Sequence, residues 1–168
     1  MNYVLSLLVE NHEGVLSRIS GLISGRGYNV ESFTAGATTD PSLTRITLVC
    51  RAEPAVIEQI KKQLNKLIEV IKLVDLTDRY TVDRELALIK ISAKSGRRGE
   101  IFQIADAFNA QVMDVGRHSM VLELTGSPSK IDDMISLLDD NIIEMARSGL
   151  VSLERGKKVK EEGDKTNE

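Results

Sequence analysis

The sequence predicts an α+β fold made of two consecutive units, each with the order strand–helix–strand–strand–helix–strand. Short apolar runs are typical of strands, and apolar residues spaced by three or four positions are typical of one helix face. Both patterns occur in the same order in each half of the chain. A chain of 168 residues with 42% hydrophobic residues can form two small domains. A unit of about 75 residues has a marginal core alone, so we expect the two units to pack on each other or on another chain.

The first unit is assigned to residues 1–76, and local patterns predict its elements. The first strand is apolar at nearly every position, which indicates that both of its faces are covered. Gly25 and Gly27 are expected to end the first helix, because glycine favours the left-handed conformation found at helix ends. The predicted elements are strand 3–9, helix 14–25, strand 29–37, a turn at Asp40-Pro41-Ser42, strand 43–51, a helix that begins at Glu53-Pro54, and strand 68–75. This order is the split βαβ, or ferredoxin-like, pattern.

The second unit is assigned to residues 83–157 and repeats this plan, so two ferredoxin-like βαββαβ units are predicted. The polar stretch 77–82, TDRYTV, is predicted to be a linker between them. The charged stretch 158–168 contains one aliphatic residue, Val159, and is predicted to be a disordered tail. The predicted elements of the second unit are strand 85–93, loop 94–99, helix 99–109, strand 111–115, strand 119–124, helix 128–140 and strand 142–146.

The loop between the first strand and the first helix has the chemistry to bind a free amino acid. The first backbone N–H groups of the helix, at 14–16, lack helical acceptors and suit a carboxylate. The amide of Asn11 can donate and accept hydrogen bonds, and Gly14 has no side chain to obstruct a ligand. A simpler interpretation remains open, in which Asn11 is a helix N-cap and Gly14 is a residue with an unusual φ angle.

The composition argues against several other classes of function. The formal net charge is −3, and the chain has three Tyr, three Phe and no Trp, so neither a basic surface nor stacking platforms for nucleic acid are predicted. The N-terminal stretch lacks a basic signal-peptide region, and no apolar run is long enough to span a membrane. Cys50 is the single cysteine, so no internal disulfide can form. A cytoplasmic protein without nucleic-acid or membrane partners is predicted.

No catalytic residue and no metal site are predicted from motifs. His12 and His118 lack regularly spaced metal-ligand partners, and the sequence has no nucleophile elbow, P-loop or dinucleotide fingerprint. Cys50 lies in an apolar strand and is expected to be an inert core thiol. The loop 94–99 can hold an anion through Arg97 and Arg98, although a solvated loop is the simpler interpretation.

The clearest motif is Asn-x-x-Gly-Val-Leu-x-Arg, which runs from Asn11 to Arg18. With the segments that follow it, this motif resembles the regulatory (small) subunit of acetolactate synthase, also called acetohydroxyacid synthase. The N-terminal half resembles the ACT domain, an amino-acid-sensing module. The resemblance covers residues 2–158 and is most specific at 11–45. Its further segments are Arg-Gly-Tyr-Asn-Val-Glu-Ser at 26–32, Thr34, Thr38, Leu43-Thr44-Arg45, 63–67, 84–86 and 146–149.

The resemblance implies a non-catalytic subunit with a catalytic partner. Such a subunit activates the large subunit of acetolactate synthase and confers feedback inhibition by valine in valine and isoleucine biosynthesis. Thiamine diphosphate, Mg and FAD are expected on the large subunit, and this chain lacks the Gly-Asp-Gly…Asn-Asn motif for the first two. Two chains are expected to form a homodimer through their first units, because an edge strand at 29–37 without Pro or Lys invites pairing. Residues 77–158 are expected to contact the large subunit.

The resemblance also implies which residues bind the effector. In the family, valine lies at a dimer interface, between the first loop and helix start and the beginning of the second strand. Asn11 and Asn29 would then hold polar groups of valine, and Val30 would border its isopropyl group. Phe33, Gly36 and Ile46 depart from residues usual in the family, so the resemblance implies the class of ligand but neither its potency nor the preference for valine over leucine or isoleucine. The positions that match the family's valine site are Asn11, Gly14, Val15, Leu16, Asn29 and Val30.

Two alternatives to this function remain open from the residues alone. One is a free-standing ACT-type amino-acid sensor that acts on another target. The other is a small enzyme of ferredoxin-like fold whose site follows no recognised motif, because one fold hosts many functions.

Overall fold

The computed structural model describes residues 2–24, 29–93, 96–138 and 141–156. Within these ranges the chain forms nine strands and four helices, and the prediction of two βαββαβ units is confirmed. The elements are β1 (Asn2–Glu10), α1 (Val15–Ser24), β2 (Asn29–Ala37), β3 (Leu43–Arg51), α2 (Pro54–Leu64), β4 (Val70–Asp75), β5 (Thr81–Ser92), α3 (Arg98–Ala107), β6 (Gln111–Val115), β7 (Ser119–Gly126), α4 (Pro128–Leu138), β8 (Ile142–Arg147) and β9 (Val151–Glu154).

The first sheet is antiparallel and has the strand order β2-β3-β1-β4. Both α1 and α2 pack their apolar stripes on one face of this sheet. Because β1 lies in the middle, both of its faces are inside: Leu5 and Leu7 on the helix side are 0% exposed, and Ser6 on the other side is 4% exposed. The core between sheet and helices consists of Tyr3, Leu5, Leu7, Val9, Val15, Ile19, Ile23, Ile46, Leu48, Cys50, Ile57, Ile60 and Leu64.

The second sheet has the order β6-β7-β5-β8, with β9 paired to the start of β5. Its helices α3 and α4 again cover one face, as the period-two burial of β5 shows: Ala87, Ile89 and Ile91 are buried, whereas the alternate residues Leu86 and Leu88 are exposed. This second core is completed by Ala93, Ile101, Ala105, Met120, Leu122, Leu124, Ile131, Met134 and Leu138.

The sequence analysis missed β9, and this strand changes the start of the second unit. Residues Thr81 to Arg84 of β5 pair with β9, from Thr81 opposite Glu154 to Arg84 opposite Val151. The predicted linker 77–82 therefore ends at Tyr80, and β5 begins four residues earlier than the predicted strand 85–93. In the first unit, β4 begins at Val70 rather than at 68, a difference that is ordinary for strand ends.

Some predictions concern residues outside those that the structure describes. These are the helix-ending glycines at 25 and 27, the start of the loop 94–99, the last two residues of the predicted helix 128–140, and the tail 158–168.

The second face of the first sheet is covered by the end of the chain. Thr47 and Val49 point away from α1 and α2, yet they are only 3% and 9% exposed. Leu150, which is 7% exposed, lines one cavity with Val49. Ser152 of β9 lines another cavity with Ser6 of β1. The two units therefore share a contact in which β9 and the segment before it lie over the first sheet.

The exit of β4 is tied to β1 through the carboxylate of Asp75. Its Oδ1 accepts hydrogen bonds from Thr77 N–H at 3.1 Å and Thr77 Oγ1 at 2.6 Å, and its Oδ2 accepts one from Lys61 Nζ at 3.1 Å. Thr77 Oγ1 in turn accepts a hydrogen bond from Val4 N–H. Partial burial raises the pKa of Asp75, but the hydrogen bonds from Thr77 and Lys61 together outweigh it and lower the pKa below its ordinary value of 3.8.

We expect Asp75→Asn to lower the free energy of unfolding by about 1–2 kcal/mol at neutral pH. Because the pKa of this carboxyl is lowered in the folded protein, its contribution is complete above the unfolded pKa of about 3.9 and is lost as the pH falls through the folded pKa. Urea unfolding at about pH 7 and about pH 3 measures the effect, which should be smaller at the lower pH. Asp78→Asn, which removes the same charge from an exposed residue, is the control. An equal effect of Asp75→Asn at both pH values would contradict the ionic role of Asp75.

Candidate functional site

Asn11 is held by the turn between β2 and β3. Its N–H donates a hydrogen bond to Ser42 O at 2.7 Å, and its Nδ2 donates one to Pro41 O at 2.9 Å. The turn is itself closed by Asp40, whose Oδ1 accepts hydrogen bonds from Ser42 Oγ and Ser42 N–H. These bonds lower the pKa of Asp40, so its carboxyl stays ionised. The Asn11 side chain thus binds a neighbouring loop and not the start of α1, which begins at Val15.

Gly14 has the unusual backbone conformation that the simpler interpretation anticipates. Its φ angle is +86°, a region that favours glycine. A Cβ atom at Gly14 would meet nothing within 4 Å, so the backbone here is open to an approaching molecule. Its carbonyl accepts the first helical hydrogen bond, from Arg18 N–H at 2.9 Å. The backbone conformation of Gly14 therefore favours glycine, and the same residue also leaves the helix start open to a ligand.

Val15 and Leu16 differ in what they can offer a ligand. The side chain of Val15 is 3% exposed and belongs to the first core. Only its backbone N–H, which lies 3.5 Å from His12 O, faces the loop. Leu16 is 46% exposed and presents an apolar side chain beside the helix start. The loop therefore combines the N–H groups of a helix start, of which that of Val15 has a long hydrogen bond to His12 O, with one exposed apolar side chain.

An ion pair that the sequence analysis did not find fixes α1 beside this loop. Arg18 of α1 forms a salt bridge with Glu69, which is 7% exposed and directly precedes β4. The backbone of Glu69 also accepts a hydrogen bond from Glu10 N–H at 3.0 Å, at the end of β1. His12 approaches the carboxylate of Glu10 at 3.1 Å. Arg18 and Glu69 lie 51 positions apart in the sequence, so no local pattern could have predicted their ion pair.

Asn29 and Val30 lie at the other end of the sheet. They are exposed at the start of β2, where Asn29 is opposite Arg51 of β3. The loop that holds Asn11 is next to the opposite end of β3, because Glu10 is paired with Leu43. A strand rises about 3.3 Å per residue, so the eight steps from Leu43 to Arg51 separate the two places by about 26 Å. One chain therefore does not bring the six predicted residues together.

The residues that depart from the family pattern are mostly core residues. Ile46 is fully buried, and Phe33 is partly buried and packs against the same core. Gly36 lies on the exposed part of β2, and a Cβ atom there would meet nothing within 4 Å. A substitution of Phe33 or Ile46 would alter the exposed surface of the sheet only indirectly, by changing how the core packs.

Other candidate groups have structural partners. Burial, helped by the charges of Asp75 and Glu31, raises the pKa of the Cys50 thiol to about 11, so it stays protonated and unreactive at neutral pH. Arg98 donates hydrogen bonds to Gly116 O at 2.6 Å and to Arg117 O at 2.7 Å. Arg97 donates to Glu100 and to Asn141. Both guanidinium groups of the predicted loop thus hold neighbouring parts of the second unit.

The described ranges contain no group of three His, Cys, Asp or Glu side chains that could hold a metal ion. None of the helices that the structure describes is long and apolar enough to cross a membrane.

Comparison with known families matches both halves of the chain. A family model described as an AHAS small subunit-like ACT domain matches residues 5–72. A second model, described as the small subunit of acetolactate synthase, matches residues 84–156.

Individual relatives match nearly the whole chain. The acetolactate synthase small subunit of Mycobacterium bovis is 46% identical over 155 residues, which are 92% of each protein. The acetolactate synthase isozyme 3 small subunit of Escherichia coli is 41% identical over 95% of this chain and 99% of that protein. The crystal structure of the acetolactate synthase small subunit from Thermotoga maritima has a TM-score of 0.84 and 35% identity over 93% of this chain and 98% of that chain. By sequence and by fold, this chain belongs to the acetolactate synthase small-subunit family.

Proposed function

We propose that this chain is the non-catalytic regulatory subunit of acetolactate synthase. In this role it activates the catalytic subunit and makes that subunit sensitive to feedback inhibition by valine. The observation that supports the proposal is a pair of exposed half-sites in the first unit. The residues matching the family's valine-binding positions fall at opposite ends of one sheet, and the strand that carries the second half-site is an edge strand.

A twofold dimer would bring two half-sites from different chains together. The middle of β2 is Phe33, and antiparallel pairing about that point places the partner's Asn29 beside Ala37. Ala37 is opposite Thr44, at the end of β3 next to the turn that binds Asn11. The loop 11–16 of one chain would therefore face residues 29–30 of the other. Edge pairing of this kind also satisfies the unpaired backbone groups of β2.

Each half-site supplies a different part of amino-acid recognition. The N–H groups at 14–16 suit the carboxylate of valine, because the helix start carries partial positive charge. The partner's Asn29 offers an amide to the polar groups of the ligand. Leu16 is 46% exposed and Val30 is 37% exposed, and they would border the isopropyl group. A small branched-chain amino acid matches this combination of groups.

The second unit is the part proposed to bind the catalytic subunit. Its sheet has an exposed face on which Leu88 is 39% exposed, between the buried residues Ala87 and Ile89. Leu86 is 36% exposed on the same face of β5, and neighbouring exposed apolar side chains are typical of interaction surfaces. Thiamine diphosphate, Mg and FAD are expected on the catalytic subunit, which carries out the chemistry. This chain would influence the reaction only through its contact with the catalytic subunit.

Gly14→Asp is expected to abolish valine binding and valine inhibition while leaving activation of the catalytic subunit. A carboxylate about 4 Å from that of the ligand repels it by about 4 kcal/mol at an effective dielectric constant of about 20, enough for a more than hundredfold loss of affinity. Calorimetry with valine on the isolated chain measures the affinity. Because φ at Gly14 is +86°, Gly14→Ala introduces the backbone strain without the charge and Gly14→Asn relieves most of that strain. Equal losses in all three variants would contradict the charge argument.

Asn29→His should weaken valine binding in the same calorimetric assay. It removes an amide partner and leaves a ligand group unpaired, at a cost of about 1–3 kcal/mol. A change of this size is comparable to a typical allosteric coupling free energy of about 1–3 kcal/mol. Unchanged affinity in both Gly14→Asp and Asn29→His would place the effector elsewhere.

Sedimentation equilibrium should show a dimer at micromolar concentration, and Ala35→Lys should weaken it. Ala35 is exposed on the edge strand β2, where lysine disfavours pairing with a second strand. The same variant should lose valine affinity, because each site needs both chains. Ile71→Lys on β4, the opposite edge of the sheet, is the control. A stable wild-type monomer that does not respond to valine would contradict the shared site.

Leu88→Glu should raise, by more than about tenfold, the concentration of this chain needed for half-maximal activation of the catalytic subunit. The reason is that a carboxylate would be buried without a partner in the contact. Valine binding to the isolated chain should not change. Ile71→Glu, an exposed apolar residue on a strand of the first unit, serves as the matched control. Half-maximal activation at the wild-type concentration would exclude this face of the sheet.

A further inference from the structure

The turn between β8 and β9 lies directly against β2, and we call residues 148–150 the junction turn. Thr34 Oγ1 donates a hydrogen bond to Ser148 O at 3.2 Å. Leu150 N–H donates a longer one to Ser32 Oγ at 3.4 Å. Ser32 and Thr34 therefore hold the junction turn from the middle of the same strand whose first two residues form the proposed half-site.

Gly149 allows the junction turn to approach β2 this closely. Its φ angle is +79°, which favours glycine. A Cβ atom on Gly149 would lie 2.7 Å from Thr34 Oγ1, closer than real Cβ contacts, and 3.2 Å from Ser32 Cβ, which is a tight contact. Backbone conformation and the close approach to Thr34 thus both favour glycine at this position.

The junction turn is also fastened to the second unit. Ser148 N–H donates a hydrogen bond to Leu86 O at 2.9 Å, and Leu86 N–H donates one to Ser148 Oγ at 3.0 Å. Arg147, the preceding residue, binds both carboxylate oxygens of Glu85 at 2.7 and 2.8 Å. Its other nitrogen binds Asp132 of α4 at 2.7 Å. Hydrogen bonds of Arg147 and Ser148 therefore connect the junction turn to β5 and α4.

A β-bulge separates the start of β2 from its middle. The pairing of β2 with β3 shifts register between Val30 and Ser32, so Glu31 is an inserted residue of a β-bulge. A bulge interrupts the hydrogen-bonded ladder, bends the strand and increases its local twist. It lies between the half-site residues Asn29 and Val30 and the two residues that hold the junction turn.

We propose that the junction turn is the link through which valine at the start of β2 acts on the second unit, and through it on the catalytic subunit. The proposal rests on the function proposed above. Closure of the two-chain site repositions residues 29–30, the bulge passes the change to Ser32 and Thr34, and the junction turn moves β5 and α4 with it. Such a link couples the valine site to the contact with the catalytic subunit, and this coupling free energy can change while the affinity of each site for its own partner stays the same.

The test separates valine binding from valine inhibition in the full-length protein. Ser32→Ala combined with Thr34→Val removes both hydrogen bonds to the junction turn with little change in volume. Gly149→Ala displaces the turn by adding a methyl group. Matched controls are Thr125→Val, an exposed threonine on β7, and Gly21→Ala, where a Cβ atom meets nothing within 4 Å. Calorimetry measures valine binding, and assays with the catalytic subunit measure activation and inhibition.

The expected result is loss of at least about half of the maximal valine inhibition, with valine affinity and activation within about twofold of wild type. Unchanged inhibition in both variants would overturn the link. A fall in valine affinity would make these residues part of the effector site, and a joint loss of activation and inhibition would make them part of assembly. A failure of Ser32→Ala/Thr34→Val to fold would show a purely structural contact. Absence of valine binding to the wild-type chain would instead overturn the proposed function, before any variant is made.

Discussion

The structure depends on the need to cover both faces of the first sheet. The central strands β1 and β3 carry apolar or small residues on both sides, and α1 and α2 can cover only one of them. Apolar surface left in water costs about 25 cal/mol per Å². The chain meets this demand with β9 and the start of β5, which lie over Ser6, Thr47 and Val49. As a result, the end of the chain is placed against the unit proposed to sense the effector.

That arrangement gives two glycines with the same backbone conformation opposite roles. Gly14 and Gly149 both have positive φ angles, +86° and +79°. At Gly14 the space around the missing side chain is open, whereas at Gly149 it is filled by Ser32 and Thr34. The first glycine leaves room for a small molecule at a helix start, and the second lets one part of the chain touch another. The φ angle alone would not distinguish the two glycines, and the atoms around each Cα show the difference between their roles.

Much of the fold follows from local sequence, and the parts that do not follow are instructive. Strand 43–51 was predicted to the residue, because its alternating apolar positions and the preceding turn leave little freedom. β9 has only four residues, and Val151 and Leu153 lie on its exposed side, so its apolar pattern does not mark its buried face. The Arg18–Glu69 ion pair joins residues 51 positions apart and has no local signal. The six candidate effector residues were named by resemblance, but that they lie at opposite ends of the sheet follows only from the strand register.

The chemistry of the junction also limits how a signal can cross it. The groups that hold the turn to β2 are hydroxyls, a carbonyl and a backbone N–H, none of which changes charge near neutral pH. Behind them, the hydrogen bonds to Glu85 raise the pKa of Arg147 above its ordinary value, so this guanidinium also keeps its charge. Neutral hydrogen bonds act over short distances and depend on geometry, whereas charges act over longer distances and are screened by salt. A signal that passes from β2 to the second unit at this contact is therefore a change of position, and the close contact between Gly149 and Thr34 is where such a change would reach the turn.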